Sequence, residues 1–228
     1  MKRFAFVLCM LLIGQPALAG GDGGQVAVVE VSNLLPPPPA AGSAAARQDL
    51  QAVLAAQKSR TAQEMAAARA DVEHSMFRFA DAIGLTAQPS ALPKTAAFFD
   101  RVAKFDKAQV KQAKAYFHRP RPSVASSQVH PLSQEKNGDW SYPSGHATFG
   151  YTTAVLLANM LPEKRAEIFA RADLYAQHRI VMGAHFPSDL EAGKLAGTVI
   201  AAQILRDAQW QADYNATRGE LRHALDLP

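Results

Sequence analysis

Apolar residues recur at helical spacing through most of this chain. From about Ser43, the positions Leu50, Val53, Leu54, Thr61, Met65 and Val72 fall on a helix-compatible period, with Arg47, Lys58 and Arg69 between them. Gly84 and the stretch Gln88-Pro89-Ser90 interrupt that region. A second helical region is predicted over about Thr95 to Tyr116, ending at the pair Pro120 and Pro122. Residues 123–142 read as a polar loop containing Ser126, Ser127, Asn137, Gly138 and Asp139. Helices are then predicted at about 145–160, 163–181, 188–212 and 217–225. No strand-like alternation of useful length occurs and no segment repeats. The expectation is all-α: a single-domain helical bundle with an anion site at helix N-termini and loops.

The two ends of the pattern differ from its middle. Lys2 and Arg3 precede an apolar run from Phe4 to Ile13, and Ala17-Leu18-Ala19 is a small-x-small site, so residues 1–19 read as a secretory leader. Ten apolar residues are too few to cross a bilayer, which takes about 20. Residues 20–44 read as an irregular arm, with glycines at 20–24, a short apolar run Val26–Val29 and the stiff run Pro36–Pro39. Leu34 and Leu35 need burial, so the arm is expected to lie against the domain at 45–228.

Composition then narrows the chemistry. Alanine enrichment and few aromatics agree with helices. The formal charge of +4 over 228 residues comes without a dense Lys/Arg stripe, which argues against nucleic acid as a partner. Loss of the leader removes Lys2 and Arg3, leaving 22 basic against 20 acidic residues, and removes Cys9, the chain's single cysteine. The mature chain then has no thiol for a disulfide, a thiolate metal site or a nucleophile.

Three segments carry candidate chemistry. Pro143-Ser144-Gly145-His146 sits where a loop becomes a helix, so Ser144 and Gly145 can present N–H groups and a hydroxyl at the positive end of a helix dipole. The plain alternative is a Ser-capped helix with a solvent histidine. In the segment Arg179 to Asp189, Pro187 suits a first helical turn, and His185 and Asp189 are four apart, hence on one face. A carboxylate on one ring nitrogen fixes the tautomer and leaves the other nitrogen to attack. Arg179 offers a planar fork for phosphate oxygens. The plain alternative is a capping Asp with a surface Arg and His. Lys104, Lys107, Lys111 and Lys114 form a Lys-rich stretch, and the first three read as a solvated basic face. Arg119 and Arg121 each precede a proline, and this segment alone does not choose between them.

Taken in order, Lys-x6-Arg-Pro, Pro-Ser-Gly-His and Arg-x5-His-x3-Asp resemble the signature of the type 2 phosphatidic acid phosphatase and vanadium haloperoxidase superfamily. SYPSGHATFGY, GAHFPSDLEAG and LLPPPPAAGSAA are similar to its secreted class A non-specific acid phosphatases. The resemblance covers most of the mature chain. It selects Arg121 to work with Lys114. One departure stands out: His178 occupies the position before Arg179 where the family usually has serine, which makes His178 a support for Arg179 or for the bound phosphate.

The resemblance implies a periplasmic or secreted acid phosphatase acting on small phosphomonoesters, with transfer to alcohols as a side activity and a homodimer compatible with the family. His185 is the expected nucleophile, Asp189 its partner and His146 the proton carrier. Lys114, Arg121, Arg179, Ser144 and Gly145 are the expected phosphate contacts. The scheme needs no cofactor and no metal, because three cations repel a divalent ion. The competing readings are a vanadate-dependent haloperoxidase, a lipid phosphate phosphatase and a non-catalytic phosphate-binding protein. No mature segment has the uncharged run of about 20 residues that a membrane span needs.

Overall fold

The computed structural model describes residues 30–133 and 139–228, and among them every regular element is helical. The expected leader with Cys9, residues 20–29 of the arm, and Asn137 and Gly138 of the polar loop lie outside the described residues. A helical turn, α1 (Val31–Leu34), precedes α2 (Ala44–Ser59) and α3 (Ala62–Ala70). A 3-10 turn at Met76–Phe79 runs into α4 (Ala80–Ile83), and another at Pro89–Ala91 leads to the long α5 (Pro93–Phe117). The one-turn α6 (Pro122–Ala125) is followed by α7 (Gly145–Met160), a 3-10 turn at Pro162–Lys164, α8 (Arg165–Val181), α9 (Pro187–Arg206) and α10 (Ala208–Ala224).

Side-chain caps set several of these boundaries. Ser43 accepts the Ala46 N–H at 3.1 Å and starts α2. Thr61 and Glu64 form a capping box that splits the first predicted helical region into α2 and α3. The expected single helix over 188–212 is corrected. Asp207 leaves helical geometry (φ −84, ψ 120), and its carboxylate accepts the Gln209 N–H at 2.8 Å. Capping there ends α9 and starts α10, which continues without a second break to Ala224, so no separate helix begins at 217.

α7 is the central element. It is buried on nearly every turn (Ala147, Phe149, Ala154, Leu157 and Met160 among others) and packs against α8, α9 and α5. α7 and α9 meet almost backbone to backbone. A Cβ at Gly193 would lie 2.7 Å from the Ser144 carbonyl oxygen, and one at Gly197 only 2.3 Å from the Thr148 carbonyl oxygen. No side chain fits there, so these two glycines fix the helix separation. The arm docks through Val31 and Leu35, both buried, and the Tyr142 hydroxyl donates to the Pro36 carbonyl at 2.5 Å. Leu34, expected to be buried, is 46 % exposed, because the turn of α1 directs Val31 rather than Leu34 into the core.

Candidate active site

The close α7–α9 seam brings two helix N-termini side by side, and the candidate residues gather there. At the start of α9, Asp189 Oδ2 accepts the Phe186 N–H at 2.9 Å, which caps the helix and turns the carboxylate back toward His185. His185 Nδ1 lies 3.3 Å from that oxygen, and the Ser141 hydroxyl donates to it at 2.5 Å. The other oxygen, Oδ1, accepts from Arg119 at 2.6 Å. Arg119 also grips Asp49 at 2.6 Å and stacks over the Phe186 ring. Burial pushes the Asp189 carboxyl above its usual value, opposed by Arg119 and the hydrogen bonds from Ser141 and Phe186.

On its far side, His185 faces a cation. Arg121 Nη1 is 3.0 Å from His185 Nε2 and also donates to the Ala184 carbonyl at 2.8 Å. A guanidinium can only donate, so Nε2 must carry the lone pair and Nδ1 the proton. That is the tautomer a nucleophilic Nε2 needs. Burial, then Arg121, Lys114 and Arg179, hold the His185 ring well below its ordinary 6.5, so it stays neutral. The two Arg-Pro pairs that sequence alone did not separate therefore both serve this histidine: Arg121 at its nitrogen, Arg119 behind its carboxylate.

Lys114 and Arg121 meet at one carboxylate beside this histidine. Lys114, near the end of α5, donates to Asp139 at 3.0 Å, and Arg121 holds the same carboxylate. Burial raises Asp139, but Lys114 and Arg121 outweigh it and hold the carboxyl below its usual range. One carboxylate thus bridges the two cations. Arg179 is buried, and its Nη1 donates to the Asp71 carbonyl at 3.4 Å. Its charge helps depress His74, His146 and His185 alike, which sets it within electrostatic reach of the whole site.

At the N-terminus of α7, Ser144 is fully buried. Its N–H already donates to the Asp189 carbonyl at 3.0 Å and its Oγ accepts from Ala147, so the hydroxyl hydrogen is its remaining donor. Gly145 differs from the seam glycines. A Cβ there would meet only Val110, at an ordinary 3.6 Å, so packing does not demand glycine at the cavity wall. His146 donates from Nε2 to the Val72 carbonyl at 3.0 Å and stacks on His74 with ring centroids 4.0 Å apart. Burial, Arg179 and His74 hold His146 well below 6.5. Burial, Arg179, Lys107 and Lys114 lower His74 to about 4.

His185, His146, His74, Gly145, Lys114, Arg121 and Asp139 line a cavity of about 990 Å³ bounded by α5, α7 and the Asp139–Trp140 segment, whereas Ser144, Arg179 and Asp189 stand behind its lining residues. Lys104, Lys107 and Lys111, read from sequence as a solvated basic face, are exposed but stand along its wall. His178 points elsewhere: its Nδ1 donates to Asp71 at 2.7 Å, and Asp71 also binds Arg78 and Arg171. Burial raises Asp71, but His178, Arg171 and Arg78 together hold it well below the carboxylate range. His178 thus supports Arg179 through the Asp71 segment. Sequence reasoning did not single out Asp49, Asp71, His74, Asp139 or Ser141. Ser141 alone had a usable signal, lying three residues before Ser144 within the quoted motif. Among the described residues, no three His, Cys, Asp or Glu side chains converge as a metal-ligand set, and no helix is long and apolar enough to cross a membrane.

Comparison with known proteins gives consistent matches. Residues 103–213 match the PAP2 superfamily model. The acid phosphatase of Zymomonas mobilis subsp. mobilis is 33 % identical over 151 residues, covering 64 % of this chain and 56 % of that protein. The non-specific acid phosphatase of Salmonella typhi is 31 % identical over 160 residues, covering 68 % of this chain and 64 % of that one. The chain thus matches less than two thirds of the length of these relatives. Among solved structures, a transmembrane PAP2 type phosphatidylglycerolphosphate phosphatase from Bacillus subtilis aligns with a TM-score of 0.50 at 19 % identity, over 75 % of this chain and 87 % of that one. At that identity the likeness concerns the fold.

Proposed function

The chain belongs to the PAP2 superfamily, and from that premise we propose that it is an acid phosphatase of the class A non-specific kind, hydrolysing phosphate monoesters through a phosphohistidine on His185. One observation carries the reading: Arg121 and Asp189 flank His185 so that Nε2 bears the lone pair at the cavity wall while Nδ1–H faces the carboxylate. In the first step Arg121 turns from Nε2 to the incoming phosphate, Nε2 attacks phosphorus, the ester P–O bond breaks, and the leaving alkoxide takes a proton from His146. In the second, His146 takes a proton from water, the oxygen attacks phosphorus, and the P–N bond breaks to release orthophosphate and neutral His185. Asp189 stabilises the positive ring between the steps. Lys114, Arg121 and Arg179 bind the equatorial oxygens once Asp139 yields its place, each charge-assisted contact contributing about 1.5–3 kcal/mol.

The low affinity of His185 for protons suits acidic conditions. A depressed ring stays neutral, and nucleophilic, below the ordinary 6.5. His146 is also depressed in the empty site, chiefly by burial and Arg179. An arriving phosphate dianion opposes that shift and favours the protonated ring. The acid limb of kcat/KM is therefore expected below pH 6.5. The reading includes metal independence, supported by Lys114 and Arg121 on the cavity wall with Arg179 in electrostatic reach, and export directed by residues 1–19. EDTA is expected to leave turnover unchanged, and reversible loss would refute metal independence.

The test is His185→Ala assayed on p-nitrophenyl phosphate. A fall in kcat of about 10⁴-fold or more is expected, with the far-UV spectrum unchanged. Substantial retained turnover would remove His185 from the nucleophile's role.

A further inference from the structure

A single phosphate leaves most of the cavity unused. At about 990 Å³ it matches the upper range of pockets that hold whole drug-sized ligands, roughly 300–1,000 Å³. The unused part runs along α5. Lys104, Lys107, Lys111 and Lys114 all line it. At 100° per residue the four fall within about 80° of arc, and they rise about 15 Å from Lys114 to Lys104. Lys114 belongs to the phosphate site with Arg121. Among the described residues, no carboxylate forms an ion pair with Lys104, Lys107 or Lys111.

The charge on this wall is not cancelled by the acids beside it. Asp139 pairs with Lys114 and Arg121 at the phosphate end of the wall, and with none of Lys104, Lys107 and Lys111. Asp106 also lines the cavity, but burial raises its carboxyl well above the usual range and so disfavours its charge. Among the described residues its Oδ2 has no hydrogen-bond partner, and the Thr152 hydroxyl donates to Oδ1 at 3.0 Å. Among the described residues, Asp100 is the remaining acid on the wall, one turn beyond Lys104 and farthest from Lys114. The lysine field also reaches inward, since Lys107 helps depress His74 across the cavity.

We propose that Lys104, Lys107 and Lys111 form an extended anion subsite that holds the further phosphate groups of a multiply phosphorylated substrate while its terminal phosphate lies at Lys114 and Arg121. The turnover arm of this proposal rests on the phosphatase reading, and the binding arm does not. With inorganic tripolyphosphate as probe, Nε2 of His185 would take the terminal phosphoryl group, the bridging P–O bond would break, and pyrophosphate would leave with a proton from His146. Water would then release orthophosphate.

The experiment compares the wild-type chain with the triple variant Lys104→Gln, Lys107→Gln, Lys111→Gln, all exposed helix positions where glutamine keeps helix propensity. At low salt, kcat/KM for tripolyphosphate is expected to fall about tenfold or more through KM, while p-nitrophenyl phosphate changes by less than about twofold and so certifies the fold. Equal losses on both substrates, or no loss on tripolyphosphate, would overturn the subsite. Calorimetry supplies the second arm. Wild type is expected to bind tripolyphosphate at least about tenfold tighter than orthophosphate, and the triple variant to bind the two alike. Equal wild-type affinities would overturn the proposal. Preferential binding without turnover of either substrate would sustain the subsite and refute the phosphatase reading.

Discussion

The cavity has two walls made of opposite materials. The α7–α9 wall is buried, tightly packed and rich in groups held away from their ordinary protonation: His185, His146 and Asp189 are all shifted, first of all by burial. The outer part of the α5 wall is exposed, and Lys104, Lys107 and Lys111 stand in water. Burial gives the first wall fixed geometry and tuned protons, which bond-breaking needs. Exposure leaves the second wall's charges screened, and suited to attracting and sorting anions. Substitutions on the first wall should therefore change stability or kcat, and those on the second should change KM.

The sharpest way to break this contrast is at Arg119. It is the buried cation shared by Asp49 and Asp189, so Arg119→Ala leaves two buried carboxylates without it. We expect destabilisation of about 3–5 kcal/mol in urea unfolding, with loss of turnover as Asp189 loses its hold. Unchanged stability would mean that the carboxylates are solvated rather than locked. A smaller effect separates the glycines. Gly197→Ala is expected to cost about 1–3 kcal/mol, because its Cβ meets the Thr148 carbonyl at 2.3 Å. Gly145→Ala should leave the melting temperature unchanged yet lower kcat/KM about tenfold, by narrowing the approach to the α7 N-terminus. A loss of stability at Gly145 would assign that residue to packing instead.

The smallest effect concerns pH. Asp106 is raised by burial, so above its unfolded value of 3.8 the unfolded chain ionises it while the folded chain does not. Stability is therefore lost as pH rises from that value toward the folded one. Asp106→Asn removes the titration and can keep the Thr152 bond. The variant is expected to be more stable than wild type at pH 7, with the advantage shrinking toward pH 4 in thermal melts. An advantage that does not change with pH would place an ionised Asp106 in the fold.

What the sequence made legible followed from local spacing. Helical periods located α5, α7 and α8 within a few residues, and i,i+4 spacing put His185 beside Asp189. The contacts it concealed are long-range. Asp49 reaches Ser188 across 139 positions, Asp71 meets His178 across 107, and Arg119 meets Asp189 across 70. No periodicity encodes such pairs. Asp207 was hidden differently: a capping aspartate inside a continuous apolar period ends one helix and begins the next without a glycine or proline to mark the place. The lysines of α5 were legible as a shared face, but only the position of α7 shows that a cavity lies before them.

The central claim is that His185 forms a covalent bond to phosphorus. Rapid mixing with p-nitrophenyl phosphate, quenching in alkali, where a phosphohistidine survives, and mass analysis of the peptide containing His185 tests it directly. The account predicts one phosphoryl group on His185 within the first turnover, absent from His185→Ala. A phosphoryl group on another residue, or turnover with none on the enzyme, would contradict it.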